Sequence, residues 1–440
     1  MKKVLVLGAG LVTRPHVEYL LDVPDFHVVV ASRTLSKAEA LVGDRANGTA
    51  IQLDVSDETR LHDLIAQSDL AVSMLPYVYH PLVAQHCIEL KKDMVTTSYV
   101  SDAMQEMDGA AREAGVLILN EIGVDPGIDH MSAMQVIHRV QKGGGQVVSF
   151  KSNTGGLPAP EANTNPLGYK FSWSPRGVLL ASKNAARWRQ DGQEINIPGE
   201  ELFDNYWPLY IEGLGWLECY PNRNSLPYLD TYGLPNAGTM FRGTLRYTGW
   251  CQTVRKLVAA GWLSDETIAP TGLTLGQLTA KLMGTPGRDV RQEATDYLDI
   301  PENSYAFYNF DWLGLFSGEP LPVTEGSPLD VLVANMLAKM QYAEGERDML
   351  VMQHEFMAQY SDRREKITST MIDHGIPFED TSMSRTVGLP AAIAVRMILQ
   401  GQVELTGVHR PMMPEIYEPV MAELKELGIG FTETIEPLTP

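Results

Sequence analysis

Along the first ~125 residues the apolar positions fall in short unbroken runs separated by amphipathic stretches. Val4–Leu7, Phe26–Ala31, Thr49–Leu53, Leu70–Leu75, Met94–Thr97 and Val116–Leu119 are each of strand length. Their continuous apolar character predicts strands buried on both faces. Arg14–Leu21, Ser36–Leu41, Asp57–Ala66 and Pro81–Leu90 lie between them with helical spacing, and Pro15 sits in a first turn, where a missing N–H costs nothing. Strands alternating with helical crossovers predict a doubly wound parallel sheet.

The pattern changes after Gly123. Residues 145–250 are rich in Gly, Pro, Tyr and Trp, with short β-like runs at Gln146–Lys151, Val178–Ala181 and Glu194–Ile197. They predict a mixed sheet with long connecting loops, one of them flanked by Asn153–Glu161 and Gly168–Pro175. Residues 252–345 read as mainly helical, as in Gln252–Ala260 and Leu329–Met340. Met349–Met357 predicts a strand returning to the mixed sheet. Val387–Leu399 predicts a helix opened by Gly388-Leu389-Pro390, and Pro414–Leu427 a last helix before a polar tail. The expected division is a first domain of 1–125 completed by helices from 387–440, a mixed α/β domain of 126–250 with 346–386, and a helical domain of 251–345.

A length of 440 residues suits several domains. Against 35 Lys+Arg stand 55 Asp+Glu, a net charge of −20. That argues against nucleic acid or an anionic membrane as a partner, since both are bound by clustered cations. No stretch approaches the ~18 apolar residues of a membrane span, and Met1–Leu7 is too short for a signal peptide. Cys87, Cys219 and Cys251 are far apart, odd in number and without CxxC spacing. This argues against a disulfide framework or a zinc site, so no metal is expected and a reduced cytoplasm is the expected setting.

The first candidate chemistry is a glycine loop. Gly8-Ala9-Gly10-Leu11-Val12-Thr13 follows the first strand and opens a helix, where glycines let backbone amides approach a pyrophosphate. Thr13 replaces the third glycine of the usual G-x-G-x-x-G, so placement rather than the motif alone carries the reading of a Rossmann-type dinucleotide site. The second strand ends in Ser32-Arg33-Thr34, without the acid that would hold the ribose 2′-hydroxyl of NAD. Arg33 suits a 2′-phosphate, with hydroxyl donors on either side, so NADP(H) is expected over NAD(H). Asp54-Val55, after the third strand, would lie beside the adenine or else cap the next helix.

Several later segments are dense in residues that folding does not demand: Thr97-Ser98-Tyr99, Gly123–His130, Asn153–Glu161, Gly168–Pro175, Tyr220–Ser225 and Phe241–Tyr247. The motifs GAGLVTRP, TTSYVS, GVDPGIDH, GGLPAPE, NPLGYKFSWSPRG, YPNR and RGTLRY occur in that order over nearly the whole chain. Together they resemble the saccharopine dehydrogenase (L-glutamate-forming) family. The resemblance implies a nucleotide-binding domain, a mixed α/β domain for substrate binding and dimerisation, a helical lid, and a homodimer. It implies NADP-linked interconversion of saccharopine with L-glutamate and 2-aminoadipate 6-semialdehyde, in lysine metabolism. It places the cofactor against Gly10, Leu11, Val12, Thr13, Ser32, Arg33, Thr34, Asp54, Val55, Leu75, Thr97, Ser98, Val124, Asp125, Pro126 and Ser174. Saccharopine would lie against Ser98, Tyr99, Asp125, Arg223, Thr244, Leu245 and Arg246. One departure stands out: many relatives carry a cysteine where this chain has Thr154, whose hydroxyl does not titrate near neutral pH.

The residues fit that chemistry. The guanidinium forks of Arg223 and Arg246 suit the carboxylates of a tricarboxylate ligand. Imine formation expels water, so a proton donor and acceptor are needed. Asp125 is the first candidate, as proton carrier, amine ligand or cap of the helix near Asp129. The Tyr99 phenol is the second, and His130 and Lys170 follow. Two alternatives stay open: an imine reductase of another amino acid and aldehyde, such as the carboxynorspermidine type, and a non-catalytic NADP sensor.

Overall fold

In the computed structural model, residues 1–268 and 272–438 are described. The chain divides into two compact units, one of residues 1–146 with 371–432 and one of 147–370 with 433 onward.

The first unit is built on a seven-stranded parallel sheet. Its first six strands are β1 (Lys2–Leu7), β2 (Phe26–Ser32), β3 (Gly48–Gln52), β4 (Leu70–Ser73), β5 (Asp93–Thr96) and β6 (Leu117–Leu119). The seventh, Gly407–His409, joins beside β6 and comes from far along the chain. The order is Gly407–His409, β6, β5, β4, β1, β2, β3, so the chain runs outward from β1 to one side and then to the other. This is the Rossmann arrangement, with its crevice where the strand order reverses between β1 and β4. Leu5, Leu7, Val29, Leu61, Ile65, Val83 and Ile118 share one core cluster. Burial of each such side chain contributes roughly 1.5–3 kcal/mol.

The second unit holds a nine-stranded mixed sheet. Its strands are β7 (Gln146–Pro158), β8 (Ala186–Gln190), β9 (Gln193–Ile197), β10 (Trp207–Ile211), β11 (Gly215–Pro221), β12 (Thr239–Arg246), β13 (Asp348–Gln359), β14 (Arg364–His374) and a last strand, Thr432–Leu438. β12 runs parallel to β7 and antiparallel to β11. Helices occupy much of 250–339, among them Trp250–Ala259, Leu275–Leu282 and Pro328–Lys339.

Four local expectations are corrected. Val178–Ala181 is not a strand but the end of the helix Pro175–Ala181, whose Ser174 cap and first-turn proline decide the matter over a four-residue apolar run. The strand expected over Gln146–Lys151 continues as β7 as far as Pro158, through the segment expected to flank a long loop. Gly155 there marks a close approach rather than a turn: a Cβ on it would meet the Leu245 carbonyl oxygen at 2.7 Å. The helix expected to open at Val387 begins at Ser382, where Thr381 accepts from the Ser384 N–H, and carries Pro390 inside it. The polar tail contains the strand Thr432–Leu438.

Candidate active site

Sheet register places the candidate residues of the first unit. Leu7 pairs with Ala31 of β2 and with Ser73 of β4, and Ser73 pairs with Thr96 of β5. The loops following these residues therefore emerge side by side at the carboxyl edge of the sheet. Gly8 (φ 111°) sits against β4, where a Cβ would meet the Met74 carbonyl oxygen at 2.8 Å. Only glycine fits there. Thr13 is fully buried, and its Oγ1 accepts from the Gly10 N–H at 3.1 Å, which ties the glycine loop into a turn. The intimate helix contact that a third glycine usually permits is supplied from the other side. Gly388, in the helix Ser382–Leu399, lies so close that a Cβ would meet the Val12 carbonyl oxygen at 3.0 Å. Leu11 is exposed on the loop, and Val12 lies between them.

Around that loop, Ser32 Oγ accepts from the Thr34 N–H at 3.3 Å, and Gln52 donates to the Arg33 carbonyl at 3.1 Å. The Arg33 side chain is exposed. Asp54 folds back on Ser56, accepting from its N–H at 3.0 Å and its hydroxyl at 2.8 Å; these bonds, helped by the field of Arg33, hold its carboxyl below the usual range. The helix cap is Asp57, not Asp54. Val55 is in the core cluster and Leu75 packs against it. These features fit a dinucleotide with a 2′-phosphate: a glycine cradle at a helix start, and a cation with hydroxyls where an acid would stand for NAD.

The loops after β5 and β6 interlock. Tyr99 Oη donates to Asp125 Oδ1 at 3.0 Å. Glu121 (φ 57°) donates its N–H to the Ser98 carbonyl at 3.1 Å, while its carboxylate accepts from the Val100 N–H at 2.9 Å. The same carboxylate takes Arg410 Nε at 2.8 Å and His130 Nε2 at 2.7 Å. Burial alone would raise the Glu121 pKa, but these bonds outweigh it and hold it below the ordinary value. His130 thus serves as a clamp on Glu121. In the turn after Asp125-Pro126, Gly127 lies so close to Gly123 that no Cβ would fit, and Asp129, in the first turn of the following helix, accepts from the Gly127 N–H at 2.6 Å and the His130 N–H at 2.8 Å. Thr97 packs on Gly123, and Val124 and Pro126 are buried beneath the half-exposed Asp125.

In the second unit, candidate residues lie on β7 and β12. Thr244 pairs with Thr154, one residue before the Gly155 contact with Leu245. Arg246 is 6% exposed. Its guanidinium carbon lies 5.0 Å from the Tyr169 ring centre and 5.4 Å from that of Trp250, and Nη1 donates to the Leu245 carbonyl at 2.8 Å. No carboxylate among the described residues pairs with it, and its Nε and the Thr154 hydroxyl are buried without hydrogen-bond partners. Arg223, by contrast, is exposed, at φ 53°. Lys170 is buried in an ion pair with Glu346, and Ser174 caps its helix by accepting from the Gly177 N–H at 3.2 Å.

Sequence reasoning passed over His80, Glu121, Arg410 and the aromatic walls Tyr169 and Trp250. The first three take their roles from loop packing and strand register, which leave no local mark.

A family model described as the saccharopine dehydrogenase NADP binding domain matches residues 4–119, and one described as the saccharopine dehydrogenase C-terminal domain matches 123–429. The chain is 40% identical over 454 residues to saccharopine dehydrogenase [NADP(+), L-glutamate-forming] of Schizosaccharomyces pombe, covering 99% of each. It is 38% identical over 443 residues to the mitochondrial alpha-aminoadipic semialdehyde synthase of Bos taurus, covering 98% of this chain and 47% of that one. Among solved structures, it resembles apo histidine-tagged saccharopine dehydrogenase (L-Glu forming) from Saccharomyces cerevisiae, with a TM-score of 0.92 and 39% identity over 99% of this chain and 100% of the other.

Proposed function

From the premise that this chain belongs to the saccharopine dehydrogenase family, we propose how its residues divide the reaction. The chain is an NADP-linked oxidoreductase acting on a CH–NH bond. It interconverts saccharopine and water with L-glutamate and 2-aminoadipate 6-semialdehyde, through an imine. NADP(H), when bound, supplies or accepts the hydride.

The observation that carries our assignment of the carboxylate site is the buried, unpaired Arg246. A guanidinium out of water without a carboxylate is costly, and an incoming carboxylate relieves that cost. The Thr154 and Thr244 hydroxyls lie beside it on the paired strands, and Arg223 offers a second, exposed cation. In the first unit, Gly8–Thr13 and Ser32–Thr34 hold the pyrophosphate and the 2′-phosphate. Asp125 and Tyr99 handle the protons. With Tyr99 donating to it, the Asp125 carboxylate is poised as an acceptor, able to take a proton from the water that opens the imine; in the reverse direction the pair returns that proton. Thr154 leaves this work to them, since its hydroxyl does not titrate near neutral pH.

The assembly is a homodimer in this reading, as the family resemblance implies. The setting is the cytoplasm, which suits three buried, unpaired cysteines. Among the described residues no helix is long and apolar enough to cross a membrane.

The test is a four-way assay with NADPH or NADH, and with L-glutamate present or omitted, in the presence of the semialdehyde. Oxidation should need NADPH and both substrates. Turnover with the aldehyde alone, or none with the pair, would refute the substrate assignment.

A further inference from the structure

The relay beneath Ser98 is unused by the mechanism above. Ser73 and Thr96 are paired neighbours on β4 and β5, so their side chains share one face of the sheet. His80, the first residue of the helix His80–Glu89, turns its ring between them. Ser73 Oγ lies 2.8 Å from Nδ1, Ser98 Oγ 2.8 Å from Nε2, and Thr96 Oγ1 3.3 Å from Nε2. The Ser98 N–H also points at Thr96 Oγ1, at 3.4 Å. His80 is 2% exposed, and burial lowers its pKa to about 4. At neutral pH the ring is therefore uncharged, with one nitrogen donating and the other accepting.

Counting protons picks the tautomer. Two hydroxyl oxygens face Nε2. A bare Nε2 has one lone pair and can take only one of their protons. A protonated Nε2 instead donates to both oxygens in a bifurcated bond, while Ser73 donates into Nδ1. Thr96 then accepts from Nε2–H and from the Ser98 N–H, which fills its two lone pairs. Two hydroxyl protons are left over in this arrangement, those of the buried Thr96 and the half-buried Ser98; the other tautomer would leave those of Thr96 and Ser73, both fully buried, so the Nε2–H form strands one buried donor fewer and frees the Ser98 hydroxyl proton.

We propose that His80 is a positioning residue: as the Nε2–H tautomer it occupies the Ser98 oxygen, so that Ser98 presents its O–H as a donor to an acceptor oxygen of the bound ligand. That oxygen is a carboxylate of saccharopine or the carboxamide oxygen of the nicotinamide. The identity of the ligand rests on the function proposed above; the tautomer does not.

Two measurements test it. In the free protein, ¹⁵N NMR of labelled histidine should show His80 protonated at Nε2 and bare at Nδ1. The opposite assignment overturns the proposal whatever the enzyme's substrate proves to be. In kinetics, Ser98→Ala and His80→Leu should each raise one KM by about tenfold, the worth of one hydrogen bond, with kcat much less changed. A rise for NADPH assigns the carboxamide, and a rise for saccharopine assigns the carboxylate. The double variant should be no worse than Ser98→Ala alone, because His80 acts through that hydroxyl; losses that multiply overturn the proposal. His80→Gln, which keeps an N–H near the Nε2 position, should recover most of the KM, whereas His80→Asn, which does not reach it, should not. Equal behaviour of Gln and Asn would reduce His80 to packing.

Discussion

The candidate residues of the two units handle buried polarity in opposite ways. In the first unit the candidate residues are answered from within: Glu121 by Val100, Arg410 and His130, Asp125 by Tyr99, and His80 by three hydroxyls. In the second, Arg246 and Thr154 are left with unanswered polar atoms. The first arrangement is preorganised and holds its loops still whether or not a ligand is present. The second stores an unfavourable desolvation that only an anion relieves. The first kind of arrangement favours fixed geometry, and the second favours taking up an anion.

The largest expected effect concerns acid. His16 and His80 are both buried in the first unit, and burial lowers each pKa to about 4 from an unfolded value near 6.5. Between those values the unfolded chain binds more protons than the folded one. Stability is therefore full above about pH 6.5 and is lost as pH falls through about 4, by roughly 3 kcal/mol for each histidine. All seven tryptophans lie between 173 and 312, in the second unit. Urea titrations at pH 7 and pH 4.5 should then show the far-UV signal, to which both units contribute, moving ahead of tryptophan emission at the lower pH. Coincident transitions at both pH values would break the comparison, since the first unit's buried neutral histidines would confer no special acid lability.

The frame of the first unit was legible in the sequence because strands covered on both faces leave unbroken apolar runs and a cofactor loop leaves its glycines. The resemblance supplied most of the candidate site, Arg223 and Arg246 included, while the residues themselves pointed to Gly8, Gly10 and Arg33. What escaped has physical reasons. His80 acquires its partners from the register of β4 against β5, and Glu121 meets Arg410 across 289 residues of chain. The strand Gly407–His409 is three residues long, too short for any periodicity, and Gly155 looks like a loop until β12 is seen pressed against it. Arg223 and Arg246 looked alike in sequence; only folding separates the exposed one from the buried one.

That separation gives the second prediction. Because Arg246 has no carboxylate in the free protein, Arg246→Met should leave the melting temperature unchanged or raise it, as replacing a buried unpaired charge by an apolar side chain does. The same change should raise the KM for saccharopine by roughly 100-fold, within the range for truncating one partner of a buried charge pair. Arg223→Met, at an exposed position, should raise it far less. A fall in stability with an unaltered KM would mean that Arg246 is held by the fold for its own sake, and the candidate residues of the two units would no longer differ in kind.

The smallest effect belongs to the cation that both halves of the comparison leave aside. Arg33 lies in the first unit, yet like Arg246 it makes no ion pair among the described residues; Asp54 feels its field only as a minor influence. Unlike Arg246 it stands in water, so leaving it unpaired costs little and filling it gains less. Arg33→Ala should therefore weaken NADPH by about tenfold, equivalent to about 1.4 kcal/mol, and NADH by less than about twofold, because only the 2′-phosphate addresses it. Separate Kd measurements for the two nucleotides decide this. Equal losses would place Arg33 on the shared pyrophosphate or in the structure of the turn. A loss confined to NADPH but as large as that from Arg246→Met would show that exposure does not discount a cation here, and burial would no longer explain why the second unit binds through its unanswered charge.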